Sequence, residues 1–141
     1  MTGFLLDTNC ISELIRVEPE PQVVRWIEEV DERLFFLSVL TIGEIRKGIA
    51  GQVAGKQRTK LEGWLELELK VRFSDRILPI DDEIAERWGV LSARAKARGK
   101  PLSVIDGLLA ATALHHQLAI VTRNVADFSQ TDVSIVNPWP A

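Results

Sequence analysis

Cysteine is almost missing from this chain of 141 residues: Cys10 stands alone, so no internal disulfide can form, and no Cys/His grouping has the spacing of a zinc site. A reducing compartment is the natural setting. Long apolar runs are missing too, since nothing approaches the roughly 18 to 20 residues that a membrane-spanning helix needs. The start, MTGFLLDTNC, has neither a basic leader nor a small-residue cleavage site, and the chain reads as cytoplasmic. No Pro-, Ser- or Gly-rich stretch and no period of about 20 to 50 residues occurs, which excludes linkers and solenoids. A basic excess is also lacking. Against 17 Lys and Arg stand 20 Asp and Glu, a net charge of -3, so bulk attraction cannot bring a polyanion to this protein. Any nucleic acid must be held locally.

What is present, 46% hydrophobic and 26% charged residues over this length, suits one compact domain spanning 1–141. The run Gly3 to Leu6 ends at Asp7 and reads as a strand buried on both faces. A helix follows over Asn9 to Arg16, Glu18-Pro19-Glu20-Pro21 breaks it, and Val23, Ile27 and Val30 stripe a second helix. Leu34 to Leu37 is a strand, and Ser38 to Gly51 a helix begun through Thr41. Between Lys56 and Phe73 the residues Leu65, Leu67, Leu69, Val71 and Phe73 alternate as in a strand. Yet Leu61, Leu65, Leu69 and Phe73 are also spaced by four in a Leu/Glu/Lys/Arg background, which predicts a helix. Ile77 to Ile80 is a strand. Asp81 or Asp82 caps a helix carrying Ile84, Trp88, Leu91 and Ala95, stopped by Gly99 and Pro101. Ser103 opens a further helix, and Leu118 to Val121 and Val133 to Val136 are the last strands. Strands alternating with helices predict an α/β fold, a mostly parallel sheet with helices on both faces. Ligands of such sheets bind beyond the carboxyl ends of the strands.

Asp7, Glu44 and Asp106 fall at that edge, each just after a strand or in the first turn of a helix, and Asn124 and Asp127 follow the strand ending at Val121. Crowded carboxylates repel one another, and a divalent cation relieves the repulsion. A donor set of oxygens without Cys or His suits magnesium or manganese. Each acid also has a bland role. Thr41-Ile42-Gly43-Glu44 and Ser103-Val104-Ile105-Asp106 both fit the capping box, and a lone Asp7 fits a helix cap.

The ordered set of motifs resembles the PIN-domain ribonucleases, specifically the VapC-like toxins of bacterial toxin-antitoxin pairs. It consists of Leu6-Asp7-Thr8-Asn9 with Ile11-Ser12-Glu13, Leu40-Thr41-Ile42-Gly43-Glu44-Ile45, Asp106-Gly107-Leu108-Leu109-Ala110-Ala111-Thr112-Ala113, and Val121-Thr122-Arg123-Asn124 with Asp127-Phe128. Asn137-Pro138-Trp139 is similar to the ending of a FitB-like subgroup. The resemblance implies that Asp7, Glu44 and Asp106 are the metal-binding catalytic acids, with Thr122 and Asn124 completing the pocket. Many PIN domains carry a fourth acid where this chain has Asn124. Either Asp127 supplies that carboxylate or the site is effectively one-metal. Thr8 and Asn9 orient Asp7 or the attacking water, or else cap the first turn of the helix.

The implied chemistry is Mg2+-dependent cleavage of single-stranded or loop RNA, with Mn2+ as a substitute, leaving a 5'-phosphate and a 3'-hydroxyl. Arg46, Lys47 and Arg123, each within a turn of a proposed site residue, are the candidate RNA contacts. Trp26, Trp64, Trp88 and Trp139 either stack bases or, as three of them lie on apolar stripes, pack in the core or a dimer. The implied partners are a cognate antitoxin and a second copy in a homodimer. Two rivals stand beside this reading: a degenerate PIN domain that only binds, and a receiver-like phosphoacceptor domain, which would need a Lys after the last core strand and an acidic pair after the first.

Overall fold

The computed structural model describes residues 3–141; Met1 and Thr2, part of the start read as lacking a leader, lie outside the described residues. Five strands form one sheet in the order β3-β2-β1-β4-β5: β1 is Phe4–Leu6, β2 Phe35–Ser38, β3 Ile77–Leu78, β4 Ala119–Val121 and β5 Ile135–Val136. Every pairing is parallel, with Phe4 opposite both Phe35 and Ala119 in the centre. The helices are α1 (Thr8–Leu14), α2 (Pro21–Glu29), α3 (Val39–Ala50), α4 (Lys56–Trp64), α5 (Lys70–Arg72), α6 (Asp82–Ala97) and α7 (Val104–His116).

Strand alternation sends neighbouring side chains into two separate cores. Leu6, Phe35, Leu37 and Val121 pack with α1 to α4 and the segment after α4, through Ile11, Val23, Ile27, Ile49, Leu61, Leu65 and Phe73. Leu5 and Ile120 face the other way, against Ile84, Leu91, Leu109 and Phe128. The predicted α/β class and the helices on both faces are therefore what the chain adopts.

The boundaries differ in instructive ways. β2 runs one residue later than Leu34 to Leu37, β4 starts at Ala119, and β3 and β5 are two-residue ladders rather than four-residue strands. α1 starts at Thr8 because Asp7 is its N-cap, its Oδ1 accepting the Thr8 amide at 2.8 Å. α3 begins at Val39, not through Thr41, because Ser38 at the strand end accepts the Leu40 amide at 3.0 Å. The Thr41-Glu44 capping box is therefore not formed, and the Thr41 hydroxyl is buried without a partner among the described residues. Of the two candidates for α6, Asp81 is the cap, accepting from the Ile84 amide.

Helix wins over strand in the middle of the chain. Leu65, Leu69 and Phe73 are buried while the alternating partners Leu67 and Val71 are 75% and 63% exposed. A strict spacing of four drifts around an α-helix of 3.6 residues per turn. The wider π-helical turn over Leu65–Leu69 takes up that drift. Cys10 is buried, its thiol donating to the Val121 carbonyl at 3.2 Å, as expected of a small apolar side chain.

α6 packs on α7 through a glycine. A Cβ on Gly107 would lie 2.8 Å from Trp88 Cδ1, so the indole rests directly on that turn, one residue from Asp106. Gly107→Ala should cost about 1 to 3 kcal/mol by overpacking, read as a lowered midpoint of chemical denaturation with unchanged slope.

Candidate active site

The carboxyl ends of β1 and β4 are laced together first by backbone, the Asp7 amide donating to the Val121 carbonyl at 3.0 Å. Side chains then extend that link. The Thr122 hydroxyl, fully buried, donates to Asp7 Oδ2 at 2.9 Å. It also accepts from Asn9 Nδ2 at 3.2 Å and from the Asn124 amide at 3.0 Å, so its one donor and two acceptor sites are all used. Thr8 reaches the other way, its hydroxyl donating to Glu44 Oε1 at 2.6 Å. The residues that follow β1 and β4 are thus tied with α1 and α3 into one hydrogen-bonded rim. Glu44 stands in the second turn of α3, aimed at Thr8 rather than at its own helix start. Asp106 lies in the first turn of α7, where Ser103 is the N-cap and accepts the Asp106 amide at 3.1 Å.

Electrostatics shows the acids sensing one another. Burial raises the Asp7 carboxyl above its usual value, and the charges of Glu44 and Asp106 add to that, against hydrogen bonds from Thr122 and the Thr8 amide. Burial raises Asp106 too, opposed by the Ser103 hydroxyl, and the charge of Asp127 pushes harder than that of Glu44. Among the described residues no three His, Cys, Asp or Glu side chains form a ready-made metal cluster. Magnesium does not ask for one, because it keeps several waters and takes one or two protein carboxylates. The donor chemistry at this rim is all hard oxygen. Asn9 Oδ1 is also buried without a donor among the described residues, an acceptor suited to the water shell of such an ion.

The basic candidates separate. Arg46 pairs with Glu66, which also takes Lys70 at 3.0 Å, so its guanidinium is engaged between α3 and the π turn. Lys47 is exposed on a groove of about 700 Å³ beside Glu44, Leu40, Val39 and Ile105. Arg123 is exposed, with its guanidinium 5.9 Å from the centroid of the Trp139 ring. Asn124 and Asp127 are exposed beside it. Glu44 also lines a narrow cleft with Thr8, Ile11, Ile15, Leu61 and Trp64, which adjoins an apolar groove along α4 that Leu67 and Val17 also line.

One charged residue escaped the sequence reading of charge and role. Glu13 is 4% exposed, and its oxygens accept from Trp139 Nε1 at 2.9 Å, the Glu20 amide at 3.1 Å and Arg16 at 3.0 Å. Its signal was an acid placed between Ile11 and Leu14 on the face of α1 that turns inward.

A parallel α/β sheet whose carboxylates gather where its central strands end is thus the class that fold and rim define. The chain belongs to the PIN domain family, whose pattern matches residues 4–133. It is 38% identical to the toxin FitB of Neisseria gonorrhoeae over 96% of this chain and 97% of that protein. To the VapC ribonuclease Y4jK of Sinorhizobium fredii it is 38% identical over 96% of each. The solved FitAcB structure from Neisseria gonorrhoeae superposes with a TM-score of 0.92 at 38% identity, covering 98% of this chain and 99% of that one. The resemblance to FitB-like and VapC-like toxins is borne out, and the receiver-like rival falls.

Proposed function

We propose that this protein is the toxin of a toxin-antitoxin pair and a divalent-cation-dependent endoribonuclease, cutting single-stranded or loop RNA to leave a 5'-phosphate and a 3'-hydroxyl. The observation that carries the reading is the hydrogen-bonded rim from Glu44 through Thr8 to Asp7 and Thr122, with Asp106 within electrostatic reach. Asp7 and Asp106 hold the cation. Asp127, whose charge acts on Asp106 more strongly than that of Glu44, completes the acid set, while Asn124 contributes its backbone amide to Thr122. Magnesium, or manganese in its place, supplies Lewis-acid neutralisation at the scissile phosphate and eases loss of a proton from the attacking water. Thr8 occupies Glu44 Oε1 and leaves Oε2 to accept that proton. Thr122 fixes the rotamer of Asp7, and Lys47 and Arg123 meet the RNA backbone.

The inhibitor in this reading is a cognate antitoxin, its apolar residues in the cleft and groove along α4 and a basic side chain paired with the acids. A homodimer is the family expectation, checked by sedimentation.

Purified protein should cleave single-stranded RNA with Mg2+ or Mn2+, stop on addition of EDTA and resume when the cation is restored. A folded protein that never cuts would leave a domain that only binds, and the nuclease reading would be lost. Thr122→Val, which strips the hydroxyl from Asp7, should lower the cleavage rate about 10- to 100-fold, the usual cost of losing a residue that orients a metal ligand. A rate within twofold of wild type would deny Thr122 that role.

A further inference from the structure

The carboxyl-terminal tail is held against the rest of the protein with more polar contacts than packing requires. Within the tail the Trp139 amide donates to Asn137 Oδ1 at 3.0 Å, and outward the Pro138 carbonyl accepts from Gln22 of α2 at 2.9 Å. The Trp139 ring is 6% exposed, and its N–H meets Glu13, a carboxylate itself nearly sealed from water and gripped by the Glu20 amide and Arg16. An apolar residue would fill the same space; the indole is in addition oriented by a hydrogen bond. Beside this fixed ring stands Arg123, between Thr122, which is bonded to Asp7, and Asn124. Arg46 has a carboxylate partner, but among the described ion pairs Arg123 has none.

We infer that Trp139 is a positioning residue, oriented by Glu13, that presets the Arg123 guanidinium at the lip of the acid pocket as a contact for an RNA phosphate. The inference rests on the nuclease reading. A guanidinium against an aromatic ring is attracted within about 6 Å of its centroid, and its N–H groups remain free to point at a phosphate. A long side chain already restrained loses less freedom when substrate arrives. In a chain of net charge -3, with Asp7, Asp106 and Asp127 nearby, a cation held in place is how a polyanion is kept at this edge.

The test combines steady-state cleavage with binding of a single-stranded RNA oligonucleotide in EDTA, for wild type, Arg123→Ala, Trp139→Leu, the double variant and Trp139→Phe. Trp139→Leu should raise KM and Kd about two- to tenfold, the cost of ordering one long side chain, with a much smaller change in kcat. Arg123→Ala should do at least as much and flatten the slope of log K against log salt by about 0.7. The double variant should bind no worse than Arg123→Ala alone, and Trp139→Phe, which keeps a ring but loses the N–H bonded to Glu13, should fall between wild type and Trp139→Leu. Trp139→Met repeats the test should Trp139→Leu not fold. Additive losses, a Trp139 defect seen only in kcat or melting temperature, or an Arg123→Ala KM equal to wild type in an active enzyme would each overturn the proposal alone. A wild-type protein that neither binds nor cuts RNA would remove the nuclease reading and this proposal with it.

Discussion

Asp7→Asn should leave a folded protein whose RNA cleavage is reduced by more than about 100-fold, beyond the 10- to 100-fold that loss of an orienting residue costs. The fold survives because an asparagine Oδ1 still accepts the Thr8 amide that caps α1. Asp106→Asn should be equally inactive, and its thermal behaviour separates the two roles read for this residue. Because burial and neighbouring charge raise the Asp106 carboxyl, the ionised form is disfavoured in the fold, and an amide there should melt no lower than wild type without cation. Addition of Mg2+ at about 100 times its Kd should stabilise wild type by about 2.7 kcal/mol and leave both variants unmoved. Full activity in either variant, or a Mg2+ shift retained by both, would remove these acids from the site.

Glu13→Ala should destabilise the protein by about 3 kcal/mol, the scale of stripping a charged acceptor from buried donors, or about 10 °C in Tm for a chain of this size. The hydrogen bond from Trp139, with those of the Glu20 amide and Arg16, holds the Glu13 carboxyl below its usual value of 4.5 against the opposing effect of burial. A depressed carboxyl stabilises fully above the unfolded value, and its contribution is lost as pH falls through the lower folded one. Wild type should therefore lose stability below about pH 4.5 more steeply than Glu13→Ala, a difference visible in melts taken from pH 6 down to pH 3. Parallel acid limbs for the two proteins would mean that the carboxylate contributes through shape alone.

The fold was legible where burial imposes a period. Short apolar runs closed by Asp7 and by Thr122 announced central strands, and the spacing of four from Leu61 to Phe73 outweighed the competing alternation. Strand ends were less legible, since β3 and β5 hold only two residues each and their limits are set by partners rather than by local composition. At the site, the positions of Asp7, Glu44 and Asp106 at one edge followed from topology. The capping box at Thr41 did not form, because Ser38, at the end of a strand displaced by one residue, already capped α3. Contacts such as Arg46 with Glu66 or Glu13 with Trp139 join residues 20 and 126 positions apart, and nothing local encodes them.

β1 is the middle of the sheet, yet the hydroxyl that anchors its terminal aspartate comes from 115 residues further along. A chain growing on the ribosome therefore carries Asp7 and Asp106 before it has β4, the strand that Thr122 directly follows. Parallel pairing between such remote segments is slow to close. The rim that holds Asp7 is therefore completed only at the end of synthesis, when Thr122 delivers its hydroxyl to Oδ2.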